Sequence, residues 1–198
     1  MGSEKFLERW LEEVLATPGL TGISERAEAR RVLLEDALRA APVVHDTLGP
    51  VVDVGSGGGS PGIPLAVELP DRQFTLLEAE RRKCDFLQRI TSGLPNVEVI
   101  WGRAEEQPVD GFGVALAKAL AKPPVAAELC LPLVRPGGTA ILWVGESADR
   151  KRVVRVAERL GAVLEEAPAS GFLVLRKVGP TPSGFPRRAG MAKKRPLA

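Results

Sequence analysis

The sequence has little of what most metal sites and redox centres require. Its 198 residues include one histidine, two cysteines and no tyrosine. Cys84 and Cys130 belong to no C-x-x-C or Cys/His cluster, so we expect two buried free thiols and no metal. The single histidine, His45, has only the adjacent Asp46 as an acidic neighbour. We therefore expect His45 in a loop between a helix and a strand, outside any catalytic set.

Long apolar runs are also missing. No stretch approaches the roughly 20 apolar residues that a membrane span requires. Residues 1–16 carry too many charges for a secretory leader. We therefore expect a soluble, cytoplasmic protein without a membrane partner. A chain of 198 residues with 44 % hydrophobic residues is long enough for one main domain and a small appendage.

Acidic residues are absent from the end of the chain. The 23 residues from Arg176 to Ala198 contain seven lysines or arginines and no acid, so a net charge of +2 leaves −5 on the preceding residues. A basic tail on an acidic body predicts contact with a polyanion, with a solubilising terminus as the alternative. We expect this tail to fold poorly by itself and to bind phosphates. Its aromatic residue, Phe185, would either stack on a base or act as a hydrophobic anchor.

The pattern of apolar residues predicts an α/β fold. Helical spacing predicts a helix that Ser3 caps and a second from Ser24 to about Ala41, both ahead of the first strand. Strands and helices then alternate, which indicates a mostly parallel sheet covered on both faces. The last two strands are joined only by PASG and should form an antiparallel hairpin. Strands are predicted at 51–55, 74–78, 97–101, near 114, 139–144, 162–166 and 172–176, and helices at 62–69, 79–93, 122–134 and 147–160.

The stretch VVDVGSGGGSPGIP, residues 51–64, forms a glycine-rich turn after the first strand. Gly57, Gly59 and Gly62 fit the spacing of a dinucleotide-binding loop. Asp53, with Gly55 and the next two alternate glycines, fits the D-x-G-x-G-x-G loop of S-adenosylmethionine enzymes. Both loops use glycine to bring backbone close to a ligand. Asp53 has no obvious role under a pyrophosphate, but it can brace the loop or contact the ammonium of a bound amino acid. It therefore favours the loop of S-adenosylmethionine enzymes.

Three further features follow predicted strands, where open parallel sheets bind ligands. Glu78 ends the second strand and can accept hydrogen bonds from both ribose hydroxyls, with a solvated carboxylate as the alternative. The stretch GRAEEQ, residues 102–107, can frame an adenine. Lys118 follows the fourth strand, where a methyl donor and acceptor would meet, although a lysine there is more often a surface residue.

Together these motifs resemble one known family. The set of VDVGSGGGSPGIPLA, FTLLEAERRKCDFL, VIWGRAEE and a PRRAG...KKRPL ending is similar to the glucose-inhibited division protein B family of bacterial ribosomal RNA methyltransferases. The match covers roughly residues 30–198. It implies a Rossmann-like class I S-adenosylmethionine-dependent methyltransferase that methylates N7 of a guanine in 16S ribosomal RNA.

The resemblance assigns roles to particular residues. Lys118, predicted as catalytic and cofactor-binding, stands where the family usually has arginine, and Ser60 where it generally has a larger apolar residue. The other predicted cofactor-binding residues are Gly55, Gly57, Gly59, Ser60, Glu78, Ala104 and Glu105. The predicted RNA-binding residues are Arg187, Arg188, Lys193, Lys194 and Arg195. We expect a helical segment at 1–48, a methyltransferase domain at 49–178 and a basic tail at 179–198.

The expected partner is 16S ribosomal RNA or the small ribosomal subunit, and the sequence leaves the oligomeric state open, with a monomer as one option. Guanine N7 has a free lone pair and no proton, so its methylation needs no general base, which suits a chain without a histidine constellation. Two alternatives stay open. They are a small-molecule methyltransferase of the same fold and a divergent RNA-binding relative without turnover. A nicotinamide dehydrogenase ranks last, because the sequence supplies neither a hydride-transfer acid nor a substrate domain.

Overall fold

The computed structural model describes residues 2–145, 147–167, 169 and 171–198. It begins with helices that precede the sheet: α1 (Ser3–Ala16), α2 (Arg26–Ala29), a π-helical stretch (Arg30–Glu35), α3 (Asp36–Leu38) and α4 (Ala41–Asp46). The rest of the described chain alternates strands and helices. The strands are β1 (Val51–Val54), β2 (Phe74–Glu78), β3 (Val97–Trp101), β4 (Phe112–Ala117), β5 (Val134–Trp143), β6 (Ala162–Glu165) and β7 (Phe172–Lys177). The later helices are α5 (Gly62–Glu68), α6 (Arg81–Thr91), α7 (Pro123–Cys130), α8 (Arg150–Arg159) and α9 (Met191–Lys194).

The seven strands form one sheet in the order β3-β2-β1-β4-β5-β7-β6. β1 to β5 pair in parallel, and β7 pairs antiparallel with both β5 and β6. The predicted parallel sheet with a closing antiparallel hairpin is therefore confirmed. Strand order reverses between β1 and β4, so the carboxyl ends of these two strands form the crevice in which such folds bind ligands.

The helices before β1 differ from prediction in their detail. The helix predicted from Ser24 to Ala41 is interrupted by the π-helical stretch and ends at Leu38. Its cap is Glu25, whose carboxylate accepts from the Glu28 backbone N–H at 2.7 Å, rather than Ser24. Ser3 starts α1 but makes no capping hydrogen bond. His45 lies in the last turn of α4 instead of a loop.

Apolar side chains pack on both faces of the sheet. On one face, α7 and α8 cover a cluster that includes Val52, Ala115 and Leu142. In a second cluster, apolar side chains of α1 pack with those of α5 and α6 around the fully buried Trp10 and Leu11. The segment before the sheet thus shares a core with the sheet. Both cysteines are buried free thiols, as predicted.

The basic tail is ordered against the body, which corrects the expectation that it folds poorly. Phe185 packs against the cluster beneath α7, so the structure places it as an anchor. Ala192 of α9 is 2 % exposed. The prediction was wrong because it rested on charge and proline content, and neither indicates that Glu128 of α7 pairs with Arg187. No helix of the described residues has the length and apolar character that a bilayer crossing needs.

Candidate functional site

A cavity of about 570 Å³ opens at the carboxyl ends of β1, β2 and β4. The glycine-rich loop, the start of the β2–α6 connection and the turn after β3 form its walls, together with residues from the first helices and the tail. This volume lies within the range of cofactor sites, roughly 300 to 1,000 Å³. The predicted site residues Gly55, Gly57, Ser60, Glu78, Ala104, Glu105 and Lys118 all line it.

The glycine loop requires glycine for two reasons. Gly55, Gly57 and Gly59 have φ values of 74°, 55° and 102°, in the left-handed region that other residues rarely adopt. A Cβ at Gly59 would stand 2.4 Å from Ile63 Cδ1, so packing beneath the loop forbids a side chain there. At Gly57 a Cβ would meet nothing nearer than 3.9 Å, so this backbone faces open space at the cavity. Gly59, by contrast, does not line the cavity and serves the turn itself.

Asp53 lies under the loop rather than in the cavity. It is 1 % exposed, and its Oδ2 accepts from the Gly62 backbone N–H at 3.1 Å. Its backbone oxygen accepts from the Ser56 hydroxyl at 2.9 Å. Burial raises the pKa of the Asp53 carboxyl to about 7, against the opposing effect of the hydrogen bond from Gly62. Of the two roles suggested by the sequence, the contacts assign the brace, which ties β1 to the start of α5.

Glu78 joins the loop to the end of β2. Its Oε2 accepts from the Gly57 N–H at 2.9 Å, and its Oε1 accepts from the Glu80 N–H at 2.8 Å. The side chain is only 8 % exposed, which argues against a merely solvated carboxylate. Because a carboxylate offers about four acceptor sites, both oxygens keep capacity for ribose hydroxyls.

Ala104 and Glu105 lie in a 3₁₀ turn after β3 (Ala104–Glu106). Ala104 is 7 % exposed and packs into the cluster under α7. Glu105 Oε1 accepts from the backbone N–H of Gly190 at 2.9 Å. The predicted adenine side of the site therefore contacts the tail that was predicted to bind RNA.

Lys118 is held by the first helices. Its Nζ donates to the Val32 carbonyl and to Asp36 Oδ2, the latter at 2.7 Å, and it lies 5.9 Å from the centre of the Trp143 ring. The lysine side chain is 11 % exposed, which excludes the surface alternative. Burial lowers its pKa, while the hydrogen bond that it donates to Asp36 opposes that shift.

Several residues that border the site were missed by sequence reasoning. Asp36 is the acidic partner of Lys118. Leu33, in the same segment, lines the cavity and accepts from the predicted site residue Ser60 at 2.7 Å. Trp10 Nε1 donates to the Gly58 carbonyl at 2.8 Å and thereby anchors the loop to α1. The one available signal was that a lysine at a strand end needs a carboxylate partner if it is buried.

The five basic residues predicted to bind RNA divide into two groups. Arg187 forms a two-point pair with Glu128 of α7, with Nε to Oε1 at 2.6 Å and Nη2 to Oε2 at 2.8 Å. Glu128 is only 3 % exposed, so Arg187 serves the packing of the tail. The exposed members are Arg188, Lys193, Lys194 and Arg195.

Comparison with known sequences identifies the family. The rRNA small subunit methyltransferase G family (GidB) matches residues 4–162. The chain belongs to this family. The predicted resemblance is thereby confirmed, with a match that begins before the expected residue 30 and ends before the basic tail.

Individual relatives of this chain carry the same family name. A ribosomal RNA small subunit methyltransferase G from Rubrobacter xylanophilus is 38 % identical over 86 % of this chain and 75 % of its own length. The relative of the same name from Moorella thermoacetica is 32 % identical over 90 % and 82 %. A third, from Synechococcus sp. strain JA-2-3B'a(2-13), is 37 % identical over 74 % of this chain, and the match spans 63 % of that relative.

Solved structures confirm the predicted fold. A TehB-like SAM-dependent methyltransferase from Corynebacterium glutamicum superposes with a TM-score of 0.55 at 17 % identity, covering 88 % of this chain and 97 % of that one. TYW2 from M. jannaschii in complex with AdoMet gives 0.53 at 19 % identity over 71 % of each chain. The GidB chain therefore has the class I methyltransferase fold, and the AdoMet bound in the TYW2 structure agrees with the predicted S-adenosylmethionine.

Proposed function

We propose that this GidB protein transfers a methyl group from S-adenosylmethionine to N7 of a guanine in 16S ribosomal RNA. The observation that carries the proposal is the cavity at the β1/β4 crossover, which brings the glycine loop, Glu78 and Lys118 together. Family membership supports the ribosomal RNA as substrate. In this proposal residues 49–178 carry out the reaction, and residues 1–48 and 179–198 shape access to it in the cytoplasm.

The residues around the cavity suit the cofactor. The open backbone at Gly57 allows close approach, and the carboxylate of Glu78 matches the ribose hydroxyls. Ala104 and Glu105 would border the adenine, and Gly55 and Ser60 the remainder of the cofactor. Gly59 supports the loop from below, so we assign it a role in shape only. The cofactor, when bound, supplies an electrophilic methyl group on a sulfonium.

Methyl transfer to guanine N7 depends mainly on how the two reactants are positioned. Guanine N7 donates its lone pair to the methyl carbon while the sulfur–carbon bond breaks, giving N7-methylguanine and S-adenosylhomocysteine without proton transfer. Holding two reactants in line supplies up to roughly 7 to 11 kcal/mol of barrier reduction. Because N7 carries no proton, the two carboxylates that line the cavity, Glu78 and Glu105, need not act as a general base.

Lys118 is the residue we assign to orientation of the guanine. Its bonds to Val32 and Asp36 use two of its three N–H groups, which leaves the third for the substrate. A donor on N7 would occupy the reacting lone pair, so we assign the bond to guanine O6. Asp36 fixes the ammonium and helps to keep it charged despite burial.

The exposed cations of the tail support RNA as the substrate. Four exposed cations lie in or beside α9: Arg188, Lys193, Lys194 and Arg195. Lys193 also borders the cavity. Phosphate contacts from such residues position a nucleic acid without reading its sequence. Arg187 is removed from the predicted RNA-binding set, because its guanidinium is occupied by Glu128.

Methyl transfer from radiolabelled S-adenosylmethionine tests the proposal. The acceptors are small ribosomal subunits and free 16S RNA from a strain that lacks the family's methylation, and the site is mapped by cleavage at N7-methylguanine. Label at one guanine is the expected result. Cofactor and RNA binding without label would refute the proposed reaction and favour a binding role.

A further inference from the structure

The C-terminal tail borders the cofactor cavity. Gly190 and Lys193 line the same cavity as Ala104 and Glu105, and Lys194, its neighbour in α9, does not. The Gly190 N–H donates to Glu105 Oε1 at 2.9 Å, across 85 positions of the chain. A segment that the sequence links only to RNA therefore forms part of the wall on the adenine side.

Arg187 holds this segment in place. Its two bonds to Glu128 have the planar fork geometry that restrains both partners. Its Nη2 also donates to the carbonyl of Arg195 at 2.8 Å. Arg187 therefore ties together the two ends of the stretch that contains α9, while Glu128 connects that stretch to α7. Leu129, the next residue of α7, lines the cavity as well.

We propose that the tail is part of the S-adenosylmethionine site, with Lys193 contacting the cofactor and Arg187 acting as a positioning residue. An ammonium only donates hydrogen bonds. Because Lys193 borders the wall that contains Ala104 and Glu105, its acceptors are those of the nucleoside half, the ribose oxygens or adenine ring nitrogens, and not the carboxylate of the methionine half. The inference rests on the proposed placement of the adenine beside Glu105.

A consequence is that cofactor binding and tail docking reinforce each other. A docked tail completes the cavity wall, and a bound cofactor gives Lys193 a partner that holds the tail down. Coupling between two binding events is reciprocal by thermodynamic necessity. An RNA whose phosphates contact the exposed Arg188 and Lys194 therefore meets a surface that the bound cofactor has already ordered.

The direct test measures S-adenosylhomocysteine affinity by titration calorimetry without RNA. Lys193→Gln should raise the Kd about 3- to 10-fold, the loss of one hydrogen bond to the ligand. Lys194→Gln is the matched control, because it makes the same charge change one position further on and should leave this Kd within about twofold. Equal effects of the two variants, or none from Lys193→Gln, would overturn the inference.

A second measurement tests the role of Arg187. Saturating S-adenosylhomocysteine should slow tryptic cleavage within the tail of the native protein. By linkage, the factor should be about the same as the one by which removal of the tail raises the Kd of S-adenosylhomocysteine. Arg187→Lys keeps the charge but loses the fork, so it should speed tail cleavage and raise the Kd while the thermal midpoint of the body stays within a few degrees. Tail cleavage that is indifferent to the ligand refutes the coupling.

Neither readout contains RNA, so the inference and the proposed function fail separately. Normal coupling without methylation of 16S RNA would refute the proposed substrate alone. Methylation at one guanine, with Lys193→Gln binding S-adenosylhomocysteine like the native protein, would refute the tail's role in the cofactor site alone.

Discussion

Two regions outside the sheet border the same cavity, and they are held by different forces. The first helices, residues 3–46, bury Phe6, Trp10, Leu11 and Val14 in the core. The tail, residues 179–198, fully buries Ala192, packs the part-buried Phe185, Leu197 and Ala198 on the same core, and adds charged partners. Apolar burial is strong but without direction, whereas charge-assisted bonds place a few atoms in a defined position.

The tail has two such charged anchors. One is the pair between Arg187 and Glu128. The other is Lys177, which is fully buried at the end of β7 and donates to Asp110 Oδ1 at 3.3 Å and to Thr181 Oγ1 at 2.8 Å. Burial lowers the pKa of Lys177, and Asp110 opposes that shift. The first helices therefore share the core of the sheet, whereas charged pairs at Glu128 and Lys177 attach the tail to the body.

The largest expected effect concerns the apolar region. Trp10→Ala should lower the free energy of unfolding by about 3 to 5 kcal/mol, since it removes a fully buried ring and the hydrogen bond to Gly58. Urea denaturation followed by circular dichroism measures it. Lys5→Ala, an exposed change in the same helix, should stay within about 0.5 kcal/mol. A small loss from Trp10→Ala would contradict the claim that apolar burial anchors this region.

The second effect concerns the ion pair between Lys118 of the site and Asp36 of the first helices. Lys118→Ala should lower methyl transfer about 100-fold, as expected for loss of one oriented donor. Lys118→Arg, which restores a cation, should recover most of that loss. Single-turnover transfer at saturating cofactor measures both variants beside their thermal midpoints. A rate equal to that of the native protein would remove Lys118 from the mechanism.

A third change addresses the buried anchor of the tail. Asp110→Asn removes the charge opposite Lys177, keeps an acceptor and tolerates the left-handed backbone at this position, where φ is 54°. The variant should lose about 2 kcal/mol of unfolding free energy, because Lys177 is left charged and buried. Thermal and urea unfolding measure the loss. Asp46→Asn, an exposed carboxylate, serves as the control, and equal stabilities of the two variants would refute the anchor.

The smallest effect is a difference in salt dependence. Raising sodium chloride from about 0.05 to 0.5 M should speed amide exchange in α9 by about two- to threefold, because screening weakens the charged anchors. Exchange in α1 should change less, because its ion pairs, such as those of Arg26 with Glu8 and Glu12, are exposed and add little to the burial of Trp10. Mass-spectrometric hydrogen exchange on one sample compares both regions. Equal responses would show that the two regions are not held differently.

Much of the fold could be predicted from local patterns. The alternation of apolar strands and helices, the glycine loop and the PASG connection led to the right class of sheet and the right final hairpin. The helices before β1 were predicted less well. Their periodicity does not reveal a π-helical stretch, in which the Leu33 and Val32 carbonyls accept from Ser60 and Lys118 of distant segments.

The candidate site was predictable where backbone geometry controls it. Positive φ values demand glycine at 55, 57 and 59, and a carboxylate at the end of β2 meets the loop through the sheet register. The partners of Lys118, Glu105 and Arg187 were not predictable. Their partners lie 59 to 86 positions away in the chain, and no local pattern connects them.

By itself the sequence determined the sheet, the position of its ligand crevice and the family, because strand periodicity and glycine conformation act over a few residues at a time. Only the tertiary structure shows which cations of the tail pair within the protein and which stay exposed. Arg187 and Lys193 read alike in a basic tail, yet one meets a buried glutamate and the other borders the cavity. The reason is physical: what a charged side chain does depends on the burial and charge of what it touches, and distant segments supply both.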